Sequence, residues 1–155
     1  MKEIYPNLFI GSEIDLNKIA CNIDEWYIIH ACKEPYHRIA LGYTGRAAPK
    51  DHPEYLIAER EGRLILNLVD APDPSYIPKE IIDKALDTIN KKIADQKVFV
   101  HCNQGMSRSA VIGMLYLRSR GILPDDFFEA ENKFKELYPL YTPNSGMRIY
   151  AMNNW

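Results

Sequence analysis

Apolar and polar positions along the chain follow two rhythms, which predict alternating strands and helices. Short apolar runs predict buried strands, and apolar positions three or four apart predict helices that pack on a sheet. The predicted strands are residues 8–10, 26–31, 64–69 and 98–100. The predicted helices are residues 12–20, 52–61, 78–95, 110–121, 124–138 and 144–153.

Capping residues and helix breakers set several of these boundaries. Two helices are predicted to begin at pairs that resemble a capping box, namely Ser12 with Asp15 and Asp51 with Glu54. Gly62 suits the end of the second of these helices. Residues 33–50 contain two prolines and two glycines, and we predict a loop there.

Strands that alternate with helices predict an α/β fold, with a central, mainly parallel sheet flanked by helices. The length of 155 residues suits a single domain over residues 1–155. In such sheets ligands bind beyond the carboxyl ends of the strands. The loops to search for a functional site are therefore 70–76 and 101–108.

Composition narrows the possible partners and the compartment. The net charge of −2 does not suggest general binding to nucleic acid or to a membrane surface, and no apolar run reaches the length of a membrane span. A charge and a proline interrupt residues 1–6, which argues against a signal peptide. The three cysteines do not form a disulfide framework, so we expect free thiols and a cytoplasmic location.

The loop after the strand at 98–100 carries the strongest chemical signal. Residues 101–109 read HCNQGMSRS, and an apolar helical pattern follows them. Backbone N–H groups of a loop that leads into a helix form a cradle for an anion, and Gly105 gives such a loop the freedom to bend. Arg108 suits bidentate binding of phosphate oxygens. The positive field at the base of the cradle favours the thiolate of Cys102, which is the reactive nucleophile.

This segment resembles the signature loop of the cysteine-based phosphatases, and specifically of the dual-specificity phosphatase family. Residues 5–12, which read YPNLFIGS, resemble the first strand and turn of that family. Residues 138–147, which read YPLYTPNSGM, resemble its C-terminal Pro-Asn-x-Gly element. The resemblance covers nearly the whole chain and is weakest over residues 33–62. It implies the cysteine-phosphatase fold.

The resemblance also implies a two-step reaction without metal or cofactor. Cys102 would attack phosphorus, and Arg108 with the loop amides would stabilise the transferring group. A general acid is implied on a loop upstream of the cysteine, and Asp70 is favoured there over Asp73. His101 would tune Cys102, and Ser109 would help the thiolate to leave. The residues expected to bind substrate are Asn103, Gln104, Gly105, Met106, Ser107 and Arg108.

The implied substrates are phosphotyrosine, and also phosphoserine or phosphothreonine, in proteins or peptides. The side chains of loop residues 103–107 carry no charge, whereas relatives that act on phosphoinositides often have lysines there. Two alternatives stay open: the same chemistry on a lipid, glucan or RNA phosphate, and a pseudophosphatase that only binds phosphate. The retained cysteine, arginine and upstream acid argue against the second alternative.

Three weaker signals also stay open. Cys32 follows a predicted strand and is a candidate for a reversible disulfide with Cys102, although a simple buried residue is favoured. Loop 33–50 is a candidate to hold a second phosphate or an acidic substrate segment, although a solvated loop is favoured; its basic residues are Lys33, Arg38, Arg46 and Lys50. Three tyrosines in predicted loops are candidates to line a pocket: Tyr36, Tyr43 and Tyr76.

Overall fold

The computed structural model describes all 155 residues and has an α/β fold with one central six-stranded sheet. The strands are β1 (Lys2–Tyr5), β2 (Leu8–Ser12), β3 (Trp26–His30), β4 (Ile57–Arg60), β5 (Arg63–Leu66) and β6 (Lys97–Cys102). Their spatial order is β1-β2-β6-β3-β5-β4. The central strands β2, β6, β3 and β5 are parallel, and β1 and β4 pair antiparallel at the two edges. The prediction of a mainly parallel sheet is confirmed.

Five helices accompany the sheet. They are α1 (Arg38–Leu41), α2 (Lys79–Lys92), α3 (Arg108–Ser119), α4 (Phe127–Leu137) and α5 (Ser145–Asn153). In α2 the residues Ile81, Ile82, Ala85 and Ile89 are buried at helical spacing, as their pattern predicts. The last three helices agree with the predicted ones to within a few residues at their ends. No helix is long and apolar enough to cross a bilayer.

The core is divided unequally between the two faces of the sheet. On one face, α2 to α5 enclose a large cluster of buried residues that includes Ile29, Val100 and Phe134. On the other face, Trp26, Ile28 and Phe99 belong to a much smaller cluster. That second face is covered mainly by short helical segments, because the chain places no long helix there.

The predicted helix at residues 52–61 is wrong. Residues 57–60 form β4, which pairs with β5 through a two-residue turn at Glu61 and Gly62. Gly62 has a φ of 70°, so it serves the hairpin turn and does not end a helix. The pairing with β5 buries Ala58 completely, and this long-range contact outweighs the local capping pattern at residue 51.

The prediction of a loop at residues 33–50 is wrong for its first half. Lys33–His37 forms an irregular turn, in which Glu34 is extended, and this turn continues into α1. Gly42, with a φ of 75°, ends α1 as a left-handed C-terminal residue, so the glycine that indicated a loop instead marks a helix end. Arg38 holds the following residues by donating hydrogen bonds to backbone oxygens of Tyr43 and Gly45.

The short helix predicted after Ser12 is present as 3-10 helix, Glu13–Lys18, with a further 3-10 segment at Ala20–Glu25. The capping box predicted at its start is also present, because the Asp15 carboxylate accepts hydrogen bonds from the backbone N–H and hydroxyl of Ser12. The edge strand β1 was not predicted. Its polar first residues, Lys2 and Glu3, hide the strand from a search for apolar runs.

Candidate active site

Cys102 lies at the carboxyl end of β6, at the base of the loop that leads into α3. It is almost fully buried, at 2% exposure. The backbone N–H of Gly105 points at its sulphur, with an N to Sγ distance of 3.3 Å. Ser109 Oγ also lies 3.3 Å from Sγ and hydrogen-bonds to the Gly11 carbonyl oxygen at 3.1 Å. The loop therefore curls around the sulphur, as an anion cradle would.

Gly105 is required by two features of this loop. Its φ is 75°, a region that side chains rarely allow. A Cβ at this position would lie 2.7 Å from the Gly11 carbonyl carbon and 2.8 Å from the backbone nitrogen of Ser12. The loop can approach β2 only because no side chain is present here.

Arg108 is the first residue of α3, and its guanidinium lies beside the same loop. Nη1 donates to the Leu68 carbonyl oxygen at 3.1 Å, and Nη2 donates to Asn103 Oδ1 at 2.7 Å. Nε is buried and has no hydrogen-bond partner, and it lies 4.0 Å from Asp70 Oδ2. A buried N–H of a charged group is costly to leave unpaired, so this atom calls for an acceptor such as a phosphate oxygen.

Asp70 brings the loop after β5 into contact with the cysteine loop. Its Oδ1 accepts a hydrogen bond from Ser107 Oγ at 2.8 Å. Asn144, just before α5, joins the same group, because its backbone N–H donates to Ser107 Oγ and its side chain donates to the Asp70 carbonyl oxygen. Loops 70–76 and 101–108 are thus joined beyond the carboxyl ends of β5 and β6.

Asp73, the rival acid, is engaged elsewhere. Its carboxylate accepts a hydrogen bond from the backbone N–H of Ser75 at 2.8 Å and begins a 3-10 turn, Pro74–Tyr76. This hydrogen bond lowers the pKa of Asp73 below its ordinary value. The geometry therefore gives Asp73 a role in shaping the turn, while Asp70 is the carboxylate that contacts the cysteine loop.

The remaining residues of the loop are held mainly by Asn103 and by backbone contacts. Asn103 Nδ2 donates to Glu13 Oε2 and to the Glu34 carbonyl oxygen, both at 3.0 Å. Gln104 is exposed, and its side chain makes no hydrogen bond. Tyr138 OH donates to the Gly105 carbonyl oxygen at 2.8 Å, and the backbone of Thr142 donates to that of Met106. Apart from Arg108, this leaves mainly backbone N–H groups to face a ligand.

His101 is fully buried and lies in a pair with His30. His101 Nε2 is 2.6 Å from His30 Nδ1, and His101 Nδ1 is 3.4 Å from the Cys102 carbonyl oxygen. Burial lowers the pKa of His101 to about 4, and burial together with the neighbouring His101 lowers that of His30 to about 2. Both rings are therefore neutral near pH 7.

The weaker candidates lie in different surroundings. Cys32 is buried, and burial raises the pKa of its thiol to about 12, so it is not a thiolate at neutral pH. Tyr36 stacks on His30, and Tyr43 hydrogen-bonds to His37. Of the four basic residues in loop 33–50, Arg38 is paired with Glu34.

Comparison with known proteins agrees with this geometry. No protein-family model matches the chain. It is 30% identical over 145 residues to human dual specificity protein phosphatase 16, and 28% identical over 150 residues to mouse dual specificity protein phosphatase 8. These matches cover 91% and 93% of the chain, which itself spans about a fifth of the length of these curated relatives, 18% and 19%. Over nearly its whole length the chain is similar to dual-specificity phosphatases.

Two solved structures share the fold. The crystal structure of DUSP15 superposes with a TM-score of 0.66 at 20% identity, over 99% of this chain and 85% of that one. The human tyrosine phosphatase-like serine/threonine/tyrosine-interacting protein superposes with a TM-score of 0.64 at 20% identity, over 99% of this chain and 94% of that one. These matches show that the chain has the cysteine-phosphatase fold.

Several residues that contact the cysteine loop could not be identified from the sequence. Glu13 and His30 belong to other elements and meet the loop only in the folded chain. Tyr138 and Asn144 lie in the C-terminal segment whose family resemblance was noted, but nothing in its pattern indicated contact with the loop. The Leu68 carbonyl oxygen accepts a hydrogen bond from Arg108, and a contact made by a backbone atom cannot be recognised from the residue type.

The buried histidine pair predicts a pH dependence of stability. The folded-state pKa of His101 is about 4, below the ordinary 6.5, so between these values the unfolded chain binds more protons than the folded one. The free energy of unfolding is therefore expected to fall as pH drops from about 6.5 to about 4, by up to about 1.4 kcal/mol per pH unit for each such histidine. Urea unfolding at a series of pH values measures this slope.

The variant His30→Phe serves as the comparison for that measurement. It removes one of the two buried rings that resist protonation, so its stability should change less steeply with pH over the same window. Equal slopes in the two proteins would show that His30 is free to bind a proton in the folded state, contrary to the burial described above.

Proposed function

We propose that the protein hydrolyses phosphomonoesters through a cysteinyl-phosphate intermediate, acting on phosphotyrosine and also on phosphoserine or phosphothreonine in proteins. The observation that carries this proposal is the buried, unpartnered Arg108 Nε beside a loop whose Gly105 N–H points at Cys102 Sγ. Together they supply charge-assisted donors around the position that a phosphoryl group would occupy above the sulphur.

In the first proposed step the Cys102 thiolate attacks phosphorus and the bond from phosphorus to the leaving oxygen breaks. The leaving oxygen takes a proton from Asp70, so an alcohol or phenol departs. Asp70 Oδ1 is occupied by Ser107, which leaves Oδ2 to carry that proton. Arg108 and the loop amides hold the three equatorial oxygens throughout.

In the second proposed step a water molecule gives a proton to Asp70 and attacks the phosphorus of the cysteinyl-phosphate. The bond from sulphur to phosphorus breaks, inorganic phosphate is released, and the thiolate is restored. Ser109 Oγ lies 3.3 Å from Sγ, and its hydroxyl proton, which is donated to the Gly11 carbonyl oxygen in this structure, can turn towards the departing thiolate and donate to it instead. No metal takes part, so activity is expected to persist in EDTA.

If Asp70 is the general acid, the loss of kcat on its removal should depend on the leaving group. Asp70→Asn should lower kcat by about 10²-fold or more with phenyl phosphate, because phenoxide needs a proton. The loss should be smaller with p-nitrophenyl phosphate, whose leaving group is stable as an anion. Steady-state kinetics on both esters measures the difference.

Asp73→Asn is the matched control for that experiment, because it removes a carboxylate from the same loop. Its kcat should stay close to that of the unaltered protein, since Asp73 is engaged with Ser75. A larger loss from Asp73→Asn than from Asp70→Asn would transfer the role of general acid to Asp73.

Ser109→Ala is expected to slow the second step more than the first. Without the hydroxyl the departing thiolate loses a hydrogen bond, a loss of about tenfold in rate. Rapid mixing with p-nitrophenyl phosphate should then show a burst of p-nitrophenol followed by a slower steady state. Ser119→Ala, at the other end of α3, should show no such burst, and a burst of equal size in both variants would contradict the role of Ser109.

The proposed substrate class and compartment follow from the same site. The side chains of loop residues 103–107 are uncharged, which favours a phosphorylated protein or peptide over a polyanionic phosphoinositide or nucleic acid. Phosphate release from matched phosphotyrosine and phosphoserine peptides, a phosphoinositide and a phosphorylated glucan compares these classes. A nucleophilic thiolate at Cys102 requires reducing surroundings, which supports a cytoplasmic location.

A further inference from the structure

A cleft of about 390 Å³ lies on the sparsely covered face of the sheet, between α1 and the hairpin of β4 and β5. Ile39, Ala40 and Ile65 supply apolar wall. His30 and Tyr36 also line the cleft, and their rings stack on each other with centroids 4.2 Å apart, so that Tyr36 supplies the aromatic wall. The volume falls within the range of small-ligand pockets, roughly 300–1,000 Å³.

His30 gives this cleft a hydrogen-bonding requirement. The Cys102 carbonyl oxygen accepts only, so His101 carries its proton on Nδ1 and its Nε2 is an acceptor. The 2.6 Å contact then places the proton of His30 on Nδ1, which donates to His101 Nε2. His30 Nε2 is left as an acceptor. It has no hydrogen-bond partner in the protein, and little water can reach it because the residue is only 3% exposed. Such an atom calls for a donor.

Arg63 gives the cleft a charge requirement. Its guanidinium makes no ion pair and no hydrogen bond, although it lines the cleft. The neighbouring Arg60 is already neutralised by Glu54 and also donates to the Ala40 carbonyl oxygen. One positive charge is therefore free at the cleft, and it suits a ligand with one negative charge.

We propose that this cleft is a binding site for a small organic monoanion that has a flat apolar body and a hydroxyl or N–H donor. The donor meets His30 Nε2, the body packs against the aromatic and apolar walls, and the anionic group pairs with Arg63. Ile39 is 72% exposed, so its side chain is free to turn as the ligand enters. His30 reaches the cysteine loop through His101, yet binding here does not depend on the chemistry proposed for that loop.

The probe that fits these requirements is 4-hydroxybenzoate. Titration is followed through the ring nitrogens of ¹⁵N-histidine-labelled protein by NMR, which reports on His30 Nε2 directly. We expect the signal of that nitrogen to shift as it accepts a hydrogen bond, with saturation at millimolar probe. Benzoate, which lacks the hydroxyl, and 4-hydroxybenzyl alcohol, which lacks the charge, should each bind at least about tenfold more weakly.

Two arginine variants test the site itself. Arg63→Gln should weaken binding of 4-hydroxybenzoate by about tenfold or more, whereas Arg120→Gln, in the turn that follows α3, should leave it unchanged. His30→Phe keeps an aromatic ring but removes the acceptor, and should also weaken binding. Because this variant lacks the reporting ring, its binding is followed instead through the ¹H signals of the probe, and the unaltered protein is measured in the same way. Saturating inorganic phosphate should not displace the probe.

Three results would overturn the proposal. The first is the absence of a saturable shift at His30 up to about 10 mM probe. The second is equal affinity in the Arg63→Gln and Arg120→Gln proteins. The third is displacement of the probe by phosphate, which would place the probe in the cysteine loop instead of the cleft.

Discussion

Cys102→Ser is expected to abolish the hydrolysis of p-nitrophenyl phosphate, with a loss of at least about 10⁴-fold in kcat. A serine hydroxyl in the same place stays protonated near neutral pH and is a far weaker nucleophile than a thiolate. The rest of the cradle should persist, because Arg108 is held by Asn103 and Ser109 by the Gly11 carbonyl oxygen. The variant should therefore still bind inorganic phosphate while it no longer turns over, and calorimetric titration beside the kinetic assay separates the two properties.

Cys21→Ser is the matched control for this prediction, since Cys21 is an exposed cysteine far from the loop in sequence. Its activity should equal that of the unaltered protein. Appreciable turnover by Cys102→Ser would rule out the cysteinyl-phosphate route. Phosphate binding without turnover by the unaltered protein itself would instead identify a pseudophosphatase.

Arg108→Lys is expected to lower kcat/KM by about 10³-fold, although it keeps the positive charge. The guanidinium holds itself in place with Nη1 and Nη2 on Leu68 and Asn103, which leaves Nε for the phosphoryl group. A lysine ammonium cannot keep these anchors and serve the ligand together, because it is a single point charge on a flexible chain. Both kcat and the affinity for phosphate should therefore fall.

Arg118→Lys, on the same helix, provides the comparison for Arg108→Lys. Arg118 pairs with the exposed Asp125, a contact that a lysine can replace. Its kinetics should be nearly unchanged. A loss at Arg108→Lys no greater than that at Arg118→Lys would mean that the forked geometry of Arg108 contributes nothing to the reaction.

The elements that could be predicted from sequence are those whose signals are local and repeated. The spacing of Ile81, Ala85 and Ile89 specifies one buried face of α2 without reference to the rest of the chain. Residues 57–60 lack such a signal, because Ala58 is buried only when β5 lies beside it. A strand that depends on its partner cannot be distinguished from a helix by the few polar residues that precede it.

The candidate site likewise has residues that could be predicted from the sequence and residues that could not. Cys102 and Arg108 are recognisable because one short loop carries both. Loops 70–76 and 101–108, the two that the sequence indicated as places to search, lie in contact through Asp70 and Ser107. The histidine pair could not be predicted, because His30 and His101 are brought together only by the parallel pairing of β3 and β6. Contacts across a sheet depend on register, and register is a property of the whole fold.

The contacts of the cysteine loop span nearly the whole chain. The loop packs on Gly11 near the start, and Asn144 near the end ties it to Asp70. During synthesis on a ribosome, the loop would thus acquire its final shape only after residue 144 had emerged. Recovery of catalysis during refolding should then report completion of the entire domain, and no fragment that stops before α5 should retain it.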